Sequence, residues 1–528
     1  MWNRLSGETN IESVLALEEQ IRVHETAILQ LKRARNSLLN ISKLPPEVLG
    51  NIFRWNVTLK GDFDGLEERS HNFLLVCHHW SEVASCTPEL WSFWGDTPRD
   101  WVRLHHRSGT APLDLVLNVE WDDGSFDVTL LDVLRDRAGR DTIRRIHLKT
   151  ADSELLNSII PSLINDSGFL RPSSVVSFIL QNESGLPIDV SNFFSRYYFP
   201  RLQHLELFDC TIPLWDLMAS QIVTLTSLDF DLSPHETAPT TSQVISILAS
   251  NPTLRRVSLS VYGVPGDGGN LPPRVSLRNL KELKLAGGTQ DVFGFLDRLD
   301  HPRRMDLLDM TLDPCAVDDV SHLVGPYLRD YLRHRGGSQS GLGLSHGLPY
   351  DDSVIFRVGD VGGIDFSAPE PARMDPFMVI TIELGQQDFM DVSKNAALDL
   401  IAHTPREDII YLHSYGDPVA MGDVSTQLPN LRGLHFEGIP LYAAFPKSNL
   451  NGGGEIFPSL QYALLDPVVV NDGDWSPLTT FLDRRASSGD RLHTLVLVGP
   501  YQIDQVMRGC LERSVQEFAH WSSEPTTP

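Results

Sequence analysis

Cysteine is scarce in this 528-residue chain, with Cys77, Cys86, Cys210, Cys315 and Cys510 making five in all. Few, odd in number and far apart, they exclude a disulfide-stapled fold and suit free thiols in a reducing compartment. Basic residues are outnumbered, 44 Lys+Arg against 69 Asp+Glu, for a net charge of −25. Such a surface repels phosphate backbones and anionic lipid, so neither nucleic acid nor a membrane is an expected partner. Long apolar runs are missing too. No stretch approaches a membrane span, and the opening Met1-Trp2-Asn3-Arg4 leads into polar residues rather than a secretion signal. The ending Thr526-Thr527-Pro528 carries no lipidation motif. A cytoplasmic or nuclear location is the expectation. What the chain does have is 41% hydrophobic residues, enough for a substantial core.

Glycine and proline are also absent from residues 8–43, where apolar residues recur at Val14, Leu17, Ile21, Ile28, Leu31 and Leu38. His24 and Arg35 fall on the same seam, and Glu18, Glu19, Lys32 and Arg33 lie off it. The spacing predicts one helix of about seven turns. Its seam suits a short coiled coil that makes a homodimer through residues 14–38, or else a helix folded back on its own domain.

The helix runs into Ile41-Ser42-Lys43-Leu44-Pro45-Pro46-Glu47-Val48-Leu49-Gly50-Asn51-Ile52-Phe53. The two prolines stop one helix and pre-set the first turn of the next. After an acidic loop, Leu74 to Ala84 predicts a second helix with Val76, Trp80, Val83 and Ala84 on one side, and Pro88-Glu89-Leu90-Trp91 closes the segment. This order of pieces, Leu-Pro-Pro-Glu-Val-Leu, Ile-Phe, then Val-Cys-x-x-Trp, resembles the F-box, and the flanking helix and Pro-x-Leu-Trp are similar to fungal F-box-like proteins. The resemblance covers about fifty residues. It implies a small all-helical module that docks the Skp adaptor of a cullin-RING (SCF-type) ubiquitin ligase. Mapped by motif, Leu44, Pro45, Pro46, Val48, Leu49, Ile52 and Phe53 would supply the first contacts, and Val76, Cys77 and Trp80 the second. The loop from Thr58 to His71 is longer than the family's pattern and acidic. Phe53 and Trp80 equally suit the core of a small helical domain, and a module this small can use them for both.

Beyond residue 110 another pattern returns: apolar, two residues, apolar, one residue, apolar. Clear copies are Leu202/Leu205/Leu207, Leu225/Leu228/Phe230, Leu254/Val257/Leu259 and Leu280/Leu283/Leu285, whose starts lie 23, 29 and 26 residues apart. Earlier copies are Leu115/Leu117, Ile143/Ile146/Leu148 and Val175/Phe178/Leu180. Later ones are Met305/Leu307, Phe356/Val358, Val379/Ile382/Leu384, Ile410/Leu412, Leu431/Leu434/Phe436, Leu460/Ala463/Leu465 and Leu492/Leu495/Leu497. That period is the leucine-rich repeat, a strand, a turn and a returning helix stacked on the next unit. The expected fold class is therefore α/β: a long helix at 11–40, an F-box-like module at 41–95, and an irregular leucine-rich repeat solenoid at 111–510. Residues 311–376, rich in Gly and Pro, read as an inserted mobile loop, and 521–528 as a disordered tail.

In such a repeat the residues between the inward leucines point out along the strand face. Successive copies place Glu206, Phe208, Asp229, Asp231, Lys284, Asp306, Tyr411, His413, His435 and Glu437 there. The strip is acidic centrally, with a later aromatic and histidine patch. A basic protein or peptide is the expected target.

Catalytic chemistry finds little support. Gly343-Leu344-Ser345-His346-Gly347 matches a nucleophile elbow, but that device needs a strand before the serine and a helix after it, and neither is read here. Cys77-His78-His79 resembles a ligand cluster, yet adjacent helical residues face different ways, so no metal or other cofactor is expected. Gly266-Asp267-Gly268-Gly269 lacks the Lys-Ser/Thr of a phosphate loop. The expected function is a non-catalytic substrate-recruiting subunit. The alternative is a repeat scaffold that joins no ligase, with an esterase built on Ser345 as the third reading.

Overall fold

The computed structural model describes residues 5–58, 72–94, 101–119, 143–150, 174–183, 187–190, 194 and 198–212 of the first part of the chain. Of the remainder it describes 215–231, 240–261, 274–302, 304–313, 319–335, 340–346, 353–360, 375–383, 389–415, 424, 427–438, 441–445, 457–466, 475–499, 503 and 505–521. The chain forms two compact units, Met1–Cys210 and Thr211–Pro528. It is a mixed α/β fold with a long N-terminal helix and mostly parallel β-sheet, and no closed barrel forms among the described residues. No described helix is long and apolar enough to cross a membrane.

The first unit opens with α1, Leu5–Ser37, somewhat longer than its spacing predicts. A 3-10 turn, Asn40–Lys43, separates it from α2, Pro46–Thr58. The amide groups of Val48 and Leu49 both donate to the Pro45 carbonyl, closing the first turn. The predicted second helix is broken. Residues 72–76 are helical, Cys77 is extended, and α3 runs only from His78 to Ser85. Extended backbone at Cys77 ends one helix and starts the next, so Val76 and Trp80 do not share a stripe. Helix α4, Trp101–Ser108, lies between the first two members of a parallel run of strands. These are β1 (Phe93–Trp94), β2 (Leu113–Val119), β3 (Ile143–Thr150), β4 (Ser177–Asn182) and β5 (His204–Phe208).

In the second unit the strands pair in parallel except around one reversed strand, and parallel pairing requires a crossover between consecutive strands. The strands are β6 (Ser227–Asp231), β7 (Arg256–Ser260), β8 (Glu282–Gly287), β9 (Leu307–Leu312), β10 (Ser340–His346), β11 (Ser353–Asp360) and β12 (Asp375–Glu383). They continue as β13 (Ile409–Tyr415), β14 (Gly433–Glu437), β15 (Tyr462–Asp466), β16 (Leu492–Val498) and β17 (Val515–Trp521). The spatial order is β6-β7-β8-β9-β12-β11-β10-β13-β14-β15-β16-β17, with β11 antiparallel to both β10 and β12. Crossovers include α5 (Trp215–Gln221), α6 (Thr241–Ser250), α7 (Thr289–Leu296), α8 (Gly325–Arg335), α9 (Phe389–His403), α10 (Ser476–Ser488) and α11 (Gln505–Ser514). A capping box between Thr240 and Gln243 starts α6, and Gly489 in the left-handed region ends α10.

The fourteen leucine-pattern copies fall on or just before strands, with Leu384 outside the described residues, but four expectations need correction. Residues 311–376 do not read as an inserted loop where they are described, since α8, β10 and β11 lie there and the strands join the sheet. Gly341 and Gly343 concealed β10, because strands select against glycine and its apolar rhythm is thin. At β9 the buried set is Met305, Leu308, Met310 and Leu312, so Leu307 faces the other way. At β12 Met378, Ile380 and Ile382 line the core face, leaving Val379 on the opposite face. The sheet also continues past residue 510 into β17, whose Trp521 belongs to the segment read as a tail, while 522–528 lie outside the described residues.

Burial differs along the second sheet. Strands β7, β8 and β9 alternate buried with open positions, as one covered face dictates. Strands β13, β15 and β16 are buried at nearly every position.

Two buried polar side chains tie neighbouring crossovers together. The Asn251 carboxamide donates to the carbonyls of Ile222 (2.9 Å) and Ile247 (2.8 Å) and accepts from the Leu225 amide (2.9 Å). The Arg485 guanidinium donates to the carbonyls of Phe457 (2.6 Å) and Leu460 (2.9 Å).

Candidate functional site

The helical module is built around a filled core. Leu49, Phe53, Ala84 and Trp91 have no solvent exposure. Phe53 stacks on Phe73 at 4.3 Å and meets Trp80 at 5.0 Å. The Trp91 indole donates to the Ala84 carbonyl (2.7 Å), locking the last turn against α3. Leu49 and Phe53 therefore correct the expected contact set. They lie inside the module, because residues i and i+4 on the inward side of a short amphipathic helix are what the core requires.

The opposite side of α2 is open. Val48 and Ile52 are each 43% exposed and Trp55 65%, an i, i+4, i+7 stripe. Pro45 and Pro46 are exposed, Leu44 and Cys77 half-buried, Val76 exposed and Trp80 half-buried. Leu75, next to Val76, is also exposed. Trp55 and Leu75 were missed by motif matching, although the i+7 spacing from Val48 pointed at Trp55. On α1 the seam residues Val14, Leu17, Ile21, Ile28, Leu31 and Leu38 are all at least half exposed. The alternative of a helix folded back on its own domain does not hold for these residues.

In the first unit Glu206 and Phe208 lie on β5. Gln181 Nε2 donates to Glu206 Oε1 (2.8 Å), and His204 with its hydrogen bond holds that carboxyl below the usual range against the effect of burial. Phe208 is exposed.

In the second unit one row of residues crosses the sheet on the face away from the buried leucines. Strand register sets its order as Asp229, Ser258, Lys284, Asp309, Val379, Arg357, Gly343, His413, His435, Leu464, Val496 and Ala519. Asp306 is not in it. That residue precedes β9 and pairs with Lys281 (3.5 Å), and the shifted leucine register puts Asp309 beside Lys284 instead. Burial raises the Asp309 carboxyl, while Lys284 and Arg357 pull it back. The row thus alternates in sign from Asp229 to Arg357 rather than being uniformly acidic. Asp231 at the row's edge accepts a hydrogen bond from Ser260 (2.7 Å).

Tyr411 is a second correction, being 1% exposed. Its in-register neighbours are Gly341 and Gly433, which leave room for the ring, and burial raises its phenol. It cannot serve as an open anchor.

His413 and His435 do come together. Their rings stack with centroids 4.2 Å apart and planes within 10°. Glu437 Oε2 lies 3.4 Å from His413 Nε2. Burial keeps both imidazoles short of protons, pushing His435 down to about 3 and outweighing the opposing effect of Glu437 on His413. Among the described residues these three form the cluster able to offer a metal ion three ligand atoms, whereas Cys77, His78 and His79 do not converge. The four described cysteines are free thiols, and burial raises Cys210. Ser345 lies inside β10, paired with Ile355 and Tyr415, rather than on a strand-to-helix turn. No protein-family model matches the chain, and no curated protein matches it significantly.

Proposed function

We propose that the chain is a non-catalytic substrate-recruiting subunit of a cullin-RING ubiquitin ligase, docking the Skp adaptor through an F-box-like module. The observation that carries this reading is the open apolar stripe of Val48, Ile52 and Trp55 over a module whose core is already full. Side chains of this size, each worth roughly 1.5–3 kcal/mol when fully buried, are costly to leave in water unless a partner covers them. Pro45, Pro46 and Val76 are exposed as well, with Leu44 and Trp80 half-buried.

The sheet of the second unit is read as an irregular leucine-rich repeat solenoid, and its open face from Asp229 to His435 as the surface for a target protein. Its mixed charges favour a partner carrying complementary basic and acidic groups, with the basic ones at Asp229 and Asp231. The free seam of α1 supports a second element of the assembly. Val14, Ile21 and Ile28 occupy a positions and Leu17, Leu31 and Leu38 occupy d positions, the combination that selects parallel pairs.

Co-purification tests the reading. The intact chain should bring down both the adaptor and its cullin. Recovery of neither would leave a repeat scaffold outside any ligase.

A further inference from the structure

Strand geometry brings three metal-binding side chains to one point. Residues i and i+2 on a strand project to the same face, about 6.5–7 Å apart, and parallel neighbours stand about 4.8 Å apart. His435 and Glu437 are i and i+2 on β14, and His413 is directly across from His435 on β13. Their ligand atoms all lie within 4.8 Å of one another. His413 Nε2 is buried and makes no hydrogen bond to a described group, although the Glu437 carboxylate is nearby. We propose that His413, His435 and Glu437 form a binding site for a divalent transition-metal ion, spanning β13 and β14.

Two imidazoles and one carboxylate are the donor set of zinc and its first-row neighbours, not of magnesium or calcium, which take oxygen. Neutral imidazole is the form that binds metal. Asp466 is in register with Glu437 on β15, so a cation between the strands finds a second carboxylate close by. The rings now stack in parallel, so capture turns them about their side-chain bonds until the two nitrogen lone pairs converge. Tyr415 flanks Glu437, Leu464 flanks His435, and Arg357, one strand beyond Gly343, faces His413 as the opposing charge.

The first unit provides an internal contrast. His204 and Glu206 repeat the His-x-Glu spacing on β5, but their neighbours on β4 are Ser177 and Ile179. The third ligand is missing on that side, and Gln181 occupies the carboxylate.

The test uses the full chain stripped by a chelator and titrated with Co2+, followed by its visible d–d absorption, with Zn2+ as competitor. One equivalent should bind saturably at micromolar affinity or tighter, and Zn2+ should displace it. His435→Ala and Glu437→Gln should each weaken binding at least 100-fold with unchanged thermal unfolding in the absence of metal. Should His435→Ala fail to fold, Glu437→Gln decides alone, since that side chain is 42% exposed and its loss leaves the fold intact. No saturable absorption, or absorption that persists in the folded variants or carries a thiolate charge-transfer band, would overturn the site.

Discussion

Replacing Asn251 by Ala should cost about 4 kcal/mol of stability in the second unit. The side chain is fully buried, and it makes three hydrogen bonds, all to backbone groups. Two of those partners, Ile222 and Leu225, belong to the crossover before it, so the carboxamide staples one strand-helix unit to the next. Each bond is worth about 1 kcal/mol net, and an orphaned buried N–H at Leu225 adds at least about 1 more. Thr253→Ala is the control. It removes one hydroxyl bond to the Leu225 carbonyl (2.8 Å) from an exposed residue and should cost about 1 kcal/mol. Urea unfolding followed by circular dichroism reads both, as a shift in the midpoint of the second unit's transition at constant slope. A loss below about 1 kcal/mol for Asn251→Ala, or equal losses for the two variants, would refute the staple.

Acid should weaken the second unit through its histidine pair. His435 ordinarily titrates near 6.5 but is held down to about 3 by burial and then by His413. Below pH 6.5 the unfolded chain therefore takes up a proton that the native chain refuses until about 3, so this contribution is complete above 6.5 and is lost as pH falls from 6.5 towards 3. The melting temperature at pH 5 should fall relative to pH 7.5, and His435→Phe should narrow that gap; an unchanged gap contradicts the assignment. Self-association through α1 predicts a dimer mass by light scattering that Ile21→Glu with Ile28→Glu reduces to a monomer. The same mass for both chains would count against pairing by this helix.

Leucines announced most of the sheet because inward strand positions must be apolar and recur with the crossover length. That logic failed where two adjacent residues were both apolar. Leu307-Leu308 and Met378-Val379 each allow two phases, and only hydrogen-bond register separates them. It failed again at β10, where glycine hides a strand, and at Tyr411, which is buried between Gly341 and Gly433 although alternation places it outside. The helical module was legible as two helical segments, but not the break at Cys77, since no proline or glycine marks it. The division of α2 into an inward pair, Leu49 and Phe53, and an outward stripe depends on which side the short helix packs. His413 and His435 were read as parts of one face. Their meeting depends on β13 and β14 being neighbours in register, which two histidines in different repeats cannot announce.

Direct calorimetric titration of the purified chain with the Skp adaptor tests the central claim. The account predicts one-to-one binding with submicromolar affinity. Val48→Asp with Ile52→Asp should weaken it at least 100-fold, since each buried apolar group contributes roughly 1.5–3 kcal/mol, while the melting temperature stays unchanged because both side chains are open to solvent. No heat of binding from the intact chain, or equal affinity in the double variant, would contradict it.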